Sequence, residues 1–462
     1  MAKGKYQKHR RNIGGWILIL VLLALVITMG SIYFSLDPNR KDPAETTTQP
    51  TAITAPPTTE PTTEPTTEPT TEPTTVPTEP YVVSTASIGV SGDLLIHVPV
   101  FQDAYQGNGK YDFSTMFTYM TDYYERYDFM VANLETTLSG ADAKYSGYPT
   151  FNCPDDIVDS MKNVGIDLLL NANNHTYDLG HKGFVRTQEV LNEKGMPHLG
   201  TRLSEETPPY IVQDINGIKV GMVCYTYETG DTSDGRKTLN GIPVSHDDTN
   251  LISSFHPKHL DEFYAEVRTV LDKMYEEGAE ATMVYIHWGE EYQLKQNAQQ
   301  TQIAQNLCEL GVDVIVGGHP HVIQPFDTLT SSTGHQTYCI YSVGNAISNQ
   351  RRENIAQTPE GHCEDSMIFG VTFEKWNDGS VNVSVIDILP VWVIRNRNNA
   401  NGNIYYAIPL DIANEDWDRF DIPNKNYLYG SYKRTMKIVG EGLNACREAL
   451  GLEPRPMTAK DE

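Results

Sequence analysis

Apolar and polar positions from about residue 81 onward follow one repeating pattern, in which short apolar runs end in polar residues and alternate with segments of helical spacing. Short runs rich in β-branched residues predict buried strands, here 87–91, 129–132, 166–170, 282–286, 312–316 and 338–342. Segments with helical periodicity lie between them, at 113–127, 154–163, 183–194, 259–277 and 298–310. This alternation predicts an α/β fold.

The first 80 residues have a different pattern. Residues 13–36 contain no charged side chain and are long enough to cross a bilayer as a helix. The basic arm before them, residues 1–12, is expected to remain in the cytoplasm, which places the following chain outside the cell. A cleaved signal peptide is the alternative, but no clear A-x-A site follows the apolar stretch. Residues 37–80 are rich in Thr, Pro and Glu and predict an extended stalk.

The remaining chain divides into a predicted domain, residues 81–395, and a C-terminal extension, residues 396–462. Alternating segments at 369–373 and 381–388 predict two further strands, which we expect to close a second sheet. Residues 427–450 have the pattern of a helix, and we expect the extension to pack on the domain or to follow it.

Charge and cysteine content exclude some classes of function. The formal net charge is −25, although the first 36 residues carry five basic side chains and no acidic one. Such an acidic body argues against nucleic acid as a partner, because phosphate binding requires basic surface. The six cysteines are scattered and form no C-x-x-C pair, which argues against a cysteine zinc site and leaves one or two disulfides open.

Polar side chains follow almost every predicted strand. Because ligands of α/β sheets bind beyond the carboxyl ends of the strands, these residues are expected to converge on one site. The residues are Asp93, Glu135, Asn174, His175, His287, His319 and His321, and the strand at 338–342 is followed by Gly344-Asn345. Turn caps and half-buried strand ends would explain each one separately, but their recurrence favours a site.

The residue types indicate a metal centre. Carboxylates, an amide oxygen and imidazoles without thiolates suit Mn, Zn or Fe, in a site for one or two divalent ions. The sequence contains no G-x-S-x-G, H-E-x-x-H or G-x-x-x-x-G-K-[ST] motif, which argues against serine hydrolases, zincins and P-loop proteins.

Six motifs in this order and spacing resemble the CapA family of poly-γ-glutamate capsule biosynthesis proteins: GDLLIH, ANLETTL, NANNHTYDLG, HWGEEY, GGHPHVIQP and YSVGN. The resemblance covers roughly residues 85–395. It implies a calcineurin-like metallophosphoesterase-type fold, a two-sheet sandwich flanked by helices. It also implies a single-pass membrane anchor with the domain outside the cell. The implied partners are poly-γ-glutamate or a related anionic polymer and membrane-bound synthase or export subunits.

The metallophosphoesterase pattern assigns roles to individual residues. The implied metal ligands are Asp93, Glu135, Asn174, His287, His319 and His321. The implied catalytic residues are His175, as the acid near the leaving group, and Asp178.

The chain departs from that pattern in two places. The usual Asp-x-His is Asp93-Leu94-Leu95, so one ligand is missing unless His97 replaces it. Glu135 stands where the pattern has a bridging aspartate. The position of Glu135, Asn174, His287 and His319 is therefore expected to bind its ion more tightly than the position of His321.

Two functions remain open on the sequence. One is a membrane-anchored accessory protein for synthesis or export of the capsule polymer. The other is an extracellular metal-dependent hydrolase of phosphoesters or γ-glutamyl bonds, in which metal-bound water is the nucleophile. A surface adhesin is a third possibility, but it would not need the polar strand ends.

Overall fold

The structure is a computed structural model that describes residues 79–396, 404–413, 417–420, 422 and 424–458. These residues belong to one compact unit. The predicted arm (1–12), the apolar segment 13–36 and all but the last two residues of the predicted stalk lie outside the described residues. Within the described ranges, no helix has both the length and the apolar character needed to span a bilayer.

Two mixed β-sheets form the centre of this unit. The first sheet contains, in spatial order, Tyr405–Pro409, Val381–Arg395, Asp365–Trp376, Val82–Leu94, Phe129–Leu134, Leu168–Leu170 and His198–Leu199, with Asn345–Ile347 paired to Val82–Leu94. The second sheet contains Ser254–Phe255, Ile218–Tyr227, Ala281–His287, Val314–Gly318, Gln336–Ile340 and Phe326–Thr330, with Tyr210–Ile215 paired to Ile218–Tyr227. Two small sheets are formed by Gly230–Asp231, Lys237–Leu239 and Ile242–Pro243, and by Tyr105–Gly107 and Lys110–Tyr111.

Helices connect many of these strands. The α-helices of the described residues are Val98–Asp103, Thr121–Tyr124, Asp156–Asn163, Gly180–Glu193, Leu260–Glu276, Ala298–Glu309 and Asn426–Ala449. The 3-10 helices are Ser114–Phe117, Ala141–Ala143, His246–Leu251, His362–Glu364 and Trp417–Phe420.

The two sheets pack face to face because their strands alternate between two apolar faces. In Ile218–Tyr227, Val220 and Met222 belong to the core shared with the first sheet, whereas Val223 and Tyr225 pack with the helices on the outer side. The outer face of the first sheet is covered in the same way by helices that include Asp156–Asn163 and Gly180–Glu193. The α/β class predicted from the sequence is confirmed, and the described residues form two large sheets between layers of helices.

The prediction that the strands at 369–373 and 381–388 close the second sheet is wrong. They form Asp365–Trp376 and Val381–Arg395, and they belong to the first sheet because Asp365–Trp376 pairs antiparallel with Val82–Leu94. The second sheet instead contains Ile218–Tyr227, a strand that is not among the predicted ones. An apolar run does not specify which of two buried sheets it joins, since both offer an apolar environment.

The predicted helix at 113–127 is also wrong, because the segment forms only the short helices Ser114–Phe117 and Thr121–Tyr124. Two threonine hydroxyls in it donate to backbone carbonyls, Thr115 Oγ1 to Asp112 O at 3.2 Å and Thr118 Oγ1 to Thr115 O at 2.9 Å. Such side-chain bonds compete with the regular backbone bonds of a helix.

The described part of the C-terminal extension belongs to the same core. Tyr405–Pro409 is the edge strand of the first sheet, and the predicted helix at 427–450 is confirmed as Asn426–Ala449. This helix buries Leu428, Tyr432 and Leu443 in the core between the sheets. Its Arg434 bonds both carboxylate oxygens of Asp365 at 2.6 Å.

Candidate metal centre

The parallel strands of both sheets end at one edge, where the predicted site residues lie. In the first sheet, Val82–Leu94 runs parallel to Phe129–Leu134, and in the second sheet, Ala281–His287 runs parallel to Val314–Gly318. The structure buries all eight predicted residues at the ends of such strands or in the loops that follow: Asp93, Glu135, Asn174, His175, Asp178, His287, His319 and His321.

One group of potential ligands consists of Glu135, His287 and His319, whose ligand atoms all lie within 4.8 Å of one another. The Nε2 atom of His287 lies 3.3 Å from Glu135 Oε1. The same Nε2 atom lies 2.8 Å from Asn174 Oδ1, so the predicted amide ligand joins this group.

A second group consists of Asp93, Glu135 and His321, with the same limit of 4.8 Å between ligand atoms. The two nitrogens of His321 face different carboxylates, Nδ1 lying 3.3 Å from Asp93 Oδ2 and Nε2 lying 3.8 Å from Glu135 Oε1. Glu135 is therefore common to both groups, as a ligand that bridges two ions would be.

The hydrogen-bonding state of these residues fits a divalent metal ion. Both carboxylate oxygens of Glu135 and the Nδ1 atom of His319 are buried, and none of them has a hydrogen-bond partner among the described residues. Leaving an ionised carboxylate buried without a partner is costly, and a cation would remove that cost. Carboxylate and imidazole donors suit Mn, Zn and Fe alike.

The two histidines of the H-P-H loop differ in basicity. Burial alone would lower the pKa of His321, but the carboxylates of Glu135 and Asp93 raise it to about 9. Burial, together with the neighbouring imidazoles of His287 and His321, holds the pKa of His319 well below its usual value. In the metal-free protein His321 therefore carries a proton between two carboxylates, and a metal ion would compete with that proton.

The backbone of this loop has an unusual conformation. His319 has φ 94° and His321 has φ 55°. Both values lie at positive φ, which residues other than Gly rarely adopt. His319 N donates to Asp93 Oδ2 at 3.3 Å, which ties the loop to the first sheet. Just before the loop, Gly317 allows its backbone to lie close to that of Tyr341, since a Cβ at Gly317 would lie 2.0 Å from Tyr341 O. Strained backbone of this kind is concentrated at functional sites.

His175 and Asp178 form a hydrogen-bonded pair beside the metal ligands. His175 Nδ1 lies 2.7 Å from Asp178 Oδ2, and that oxygen also accepts the backbone N–H of Phe151 at 2.6 Å. Asn240 donates to the other oxygen, Asp178 Oδ1, at 3.2 Å. The carboxylate thus fixes the ring of His175 and leaves its Nε2 available for proton transfer.

His97 lies near the centre but in neither group of potential ligands. Its Nδ1 atom lies 3.1 Å from Leu95 O and 3.3 Å from the backbone N of Asn349. Burial, with smaller contributions from His321 and His175, lowers the pKa of His97 to about 4, so it is neutral at physiological pH.

A cavity of about 570 Å³ opens beside the first group and gives access to Asn174 and His319. Its walls include the aromatic rings of Tyr227 and Tyr292 and the carboxylates of Glu290 and Glu291. Among the described residues that line it, none is Lys or Arg.

Two asparagines at the site were not predicted. Asn240 belongs to an Asn-Gly turn between Lys237–Leu239 and Ile242–Pro243, a dipeptide that indicates a hairpin but not its contact with Asp178. Asn345 follows a predicted strand, as the other site residues do, and its Oδ1 atom lies 3.0 Å from His321 Nδ1. Its position after a strand was part of the sequence pattern, but the predicted ligands did not include it.

Comparison with known families identifies the chain. The family described as bacterial capsule synthesis protein PGA_cap matches residues 87–350, more than half of the 462 residues. The chain belongs to this family. All six motifs on which the predicted resemblance depends lie within the matched residues, and that resemblance is confirmed.

Two relatives of this PGA_cap protein are similar over part of their length. The capsule biosynthesis protein CapA of Bacillus anthracis is 26% identical over 246 residues, which are 52% of this chain and 55% of that protein. The PGA biosynthesis protein CapA of Bacillus subtilis (strain 168) is 26% identical over 231 residues, 49% of this chain and 52% of that protein. The chain thus matches about half the length of each relative.

Among solved structures, similarity is found to one titled "Putative 5'-Nucleotidase from Staphylococcus aureus in complex with alpha-ketoglutarate". The TM-score is 0.39 with 15% sequence identity, and the alignment covers 66% of this chain and 54% of that chain.

Proposed function

We propose that this protein acts in the synthesis or export of a poly-γ-glutamate capsule, as a single-pass membrane protein whose domain lies outside the cell. Membership of the PGA_cap family and the names of the two Bacillus relatives support a role in capsule biosynthesis. The uncharged segment at 13–36 and the basic arm before it support the anchor and its orientation. The order of the motifs supports a metallophosphoesterase type for the two-sheet fold.

The observation that carries the proposal is the buried pair of ligand groups that share Glu135, within the residues matched by the family. Asp93 and His321 would hold one ion and His287 and His319 the other, with Glu135 between them. Divalent ions there would supply positive charge in a domain whose acidic character otherwise repels an anionic polymer. The proposed partners are this polymer and membrane-bound synthase or export subunits.

A complementation experiment tests this function. In a strain that makes the polymer, deletion of the gene is expected to reduce cell-associated γ-glutamyl polymer, and the wild-type gene to restore it. Glu135→Gln is expected to fail, because it removes the shared carboxylate, whereas Glu262→Gln, at an exposed glutamate, should restore polymer fully. Equal protein levels are checked by immunoblot. Unchanged polymer in the deletion strain would refute the role in capsule biosynthesis.

A second candidate, an extracellular metal-dependent hydrolase, is favoured by the His175–Asp178 pair beside Asn174. A divalent ion would activate water and polarise the bond to be cleaved. His175, oriented by Asp178, would donate a proton to the leaving group through Nε2. The chemistry would suit phosphoesters or γ-glutamyl amide bonds.

Purified protein loaded with Mn²⁺, Zn²⁺ or Fe²⁺ is assayed against phosphodiesters and γ-glutamyl oligomers. His175→Gln is expected to lower the rate by about 10²- to 10⁴-fold while metal content stays constant. His259→Gln, at an exposed histidine, is the matched control. No turnover of either substrate class by fully loaded protein would leave the accessory function as the sole candidate of the two.

A further inference from the structure

The two groups of potential ligands differ in how many ligands were predicted for them from the sequence. The first has Glu135, His287 and His319 together with Asn174. The second has three, Asp93, Glu135 and His321, and lacks the histidine of the usual Asp-x-His motif. A three-residue group leaves more of the coordination to water than a four-residue group.

Asn345 lies beside the second group as Asn174 lies beside the first. Its Oδ1 atom is 3.0 Å from His321 Nδ1, and Asp93 Oδ2 is 3.3 Å from the same nitrogen. In the first group, Asn174 Oδ1 is 2.8 Å from His287 Nε2, and Glu135 Oε1 is 3.3 Å from that nitrogen. His321 Nδ1 and His287 Nε2 therefore each face one amide oxygen and one carboxylate oxygen.

The orientation of the Asn345 amide follows from its other contacts. Its Nδ2 group donates to Gln350 Oε1 at 3.0 Å and approaches the backbone oxygen of His321 at 3.4 Å. Gln350 is oriented in turn, because its Nε2 group donates to Tyr292 OH at 3.0 Å. A carbonyl oxygen can only accept, so Nδ2 must face His321 O, and Oδ1 faces the ligand group.

The backbone also holds Asn345 next to Asp93. The two residues are direct partners in the parallel pairing of Val82–Leu94 with Asn345–Ile347. Asp93 N donates to Gly344 O at 3.0 Å, so the pairing is hydrogen-bonded at this point. The side chain of Asn345 is fully buried.

From this arrangement we infer that Asn345 Oδ1 is the fourth protein ligand of an ion held by Asp93, Glu135 and His321. The inference rests on the metal centre of the proposed function. Ligand atoms of one ion, each roughly 2.0–2.2 Å from it, lie about 3 Å apart. His321 Nδ1 lies at such distances from Asn345 Oδ1, 3.0 Å, and from Asp93 Oδ2, 3.3 Å. The centre then has two four-residue positions that share Glu135, and each position contains one asparagine.

Metal titration of the full-length protein in detergent tests this assignment. Mn²⁺ binding is measured by calorimetry and by electron paramagnetic resonance, in which two ions bridged by one carboxylate give a coupled signal. Wild type is expected to bind two ions. Asn345→Ala should keep one ion at wild-type affinity and bind the other at least about tenfold more weakly, with an uncoupled signal at low Mn²⁺. Asn345→Asp should restore the second ion, because it retains an oxygen ligand.

Two controls make the test specific. Asn152→Ala removes another fully buried amide, one that bonds loop backbone at Ser139 and Gly140, and it should bind both ions normally. The absorption intensity of Co²⁺ bound at the second position reports how many ligands surround the ion. Loss of a ligand in Asn345→Ala should raise this intensity, whereas an asparagine that only accepts a hydrogen bond from His321 would leave it unchanged.

Wild-type affinity for both ions in Asn345→Ala, or an unchanged Co²⁺ spectrum, would overturn the assignment. Failure of Asn345→Asp to bind the second ion would overturn it as well. Should Asn345→Ala fail to fold, as judged by melting in EDTA, the Asn345→Asp variant and its Co²⁺ spectrum decide the question. Absence of any ion from folded wild-type protein is a different result, because it contradicts the proposed metal centre itself.

Discussion

Glu135 and His321 show how individual side chains determine the properties of the centre. Glu135 is fully buried, and neither carboxylate oxygen has a hydrogen-bond partner in the part of the chain that the structure describes. A buried carboxylate is tolerated in that state only beside positive charge. His321 supplies that positive charge in the metal-free protein, since its pKa is raised to about 9. Proton and metal therefore compete for the same nitrogens.

Metal binding should release a proton from His321. Because its folded-state pKa is about 9, His321 is protonated at pH 7.5, and only the neutral ring can ligate. We expect release of about one proton with the ion in the Asp93 group, and an apparent affinity that rises about tenfold per pH unit up to pH 9. Calorimetry in two buffers with different ionisation enthalpies measures this release.

His321→Gln provides the comparison, since it removes both the proton and the ligand. The ion held by His287 and His319 should then bind with little proton release, because the pKa of His319 is already low. Equal proton release in wild type and His321→Gln would contradict the competition.

At the scale of elements, the centre depends on close contact between strands, and the core between the sheets depends on the C-terminal helix. Gly92 precedes Asp93 at a place where a Cβ would lie 2.0 Å from Gly344 O. Only a glycine permits this approach, which brings Val82–Leu94 and Asn345–Ile347 together.

Gly92→Ala should destabilise the protein by about 1–3 kcal/mol, because the added methyl forces Gly344 away. The displacement should also weaken the ion held by Asp93 and His321. Urea denaturation in EDTA measures the first effect, and Mn²⁺ titration measures the second. Gly430→Ala is the control, since the nearest atom to its Cβ is the end of Arg434 at 3.4 Å and alanine favours a helix. A Gly92→Ala protein as stable as wild type would show that the strands can separate without cost.

Truncation after Arg395 should prevent formation of soluble protein. It removes Tyr405–Pro409 and Asn426–Ala449, and so uncovers core that Leu428, Tyr432 and Leu443 now cover. Exposed apolar surface of this extent favours aggregation. Size-exclusion chromatography of the soluble fraction provides the measurement, and removal of residues 459–462 alone is the control. A soluble, monomeric truncated protein that binds two ions would contradict the assignment of this helix to the core.

For the whole molecule, the net charge of −25 opposes the proposed association with an anionic polymer. Like charges repel over a Debye length of about 8 Å at physiological salt, so repulsion acts before any contact forms. Divalent ions at the proposed centre would reverse this locally, although the lining of the cavity beside it includes the carboxylates of Glu228, Glu290 and Glu291.

Association with poly-γ-glutamate should therefore require divalent ions and should not weaken as salt rises. We expect no binding in EDTA at 50 mM NaCl, and binding with Mn²⁺ that is equal or stronger at 300 mM NaCl because repulsion is screened. Co-sedimentation with the polymer measures binding, and an uncharged polysaccharide is the control. Affinity that falls steeply with salt would instead indicate a basic surface that binds the polymer directly.

The sequence by itself determined the α/β class, the positions of eight strands and of the longer helices, and the predicted residues of the candidate centre. Apolar runs of strand length need burial on both faces, and helices between them supply it. Asp93, His287 and His319 could be chosen because they follow such runs, and the carboxyl ends of parallel strands share an edge. The family resemblance depended on the same motifs and needed no knowledge of the fold.

Only the tertiary structure decided which sheet each strand joins and which side chains meet. Asp365–Trp376 pairs with Val82–Leu94 through backbone bonds, and local sequence does not encode the choice of partner. Asn345 lies 252 residues after Asp93 in sequence, yet chain pairing places them side by side. Within the described residues, the oxygens of Glu135 without hydrogen-bond partners and the raised pKa of His321 likewise follow from burial and neighbours, because desolvation and charge act through space and not along the chain.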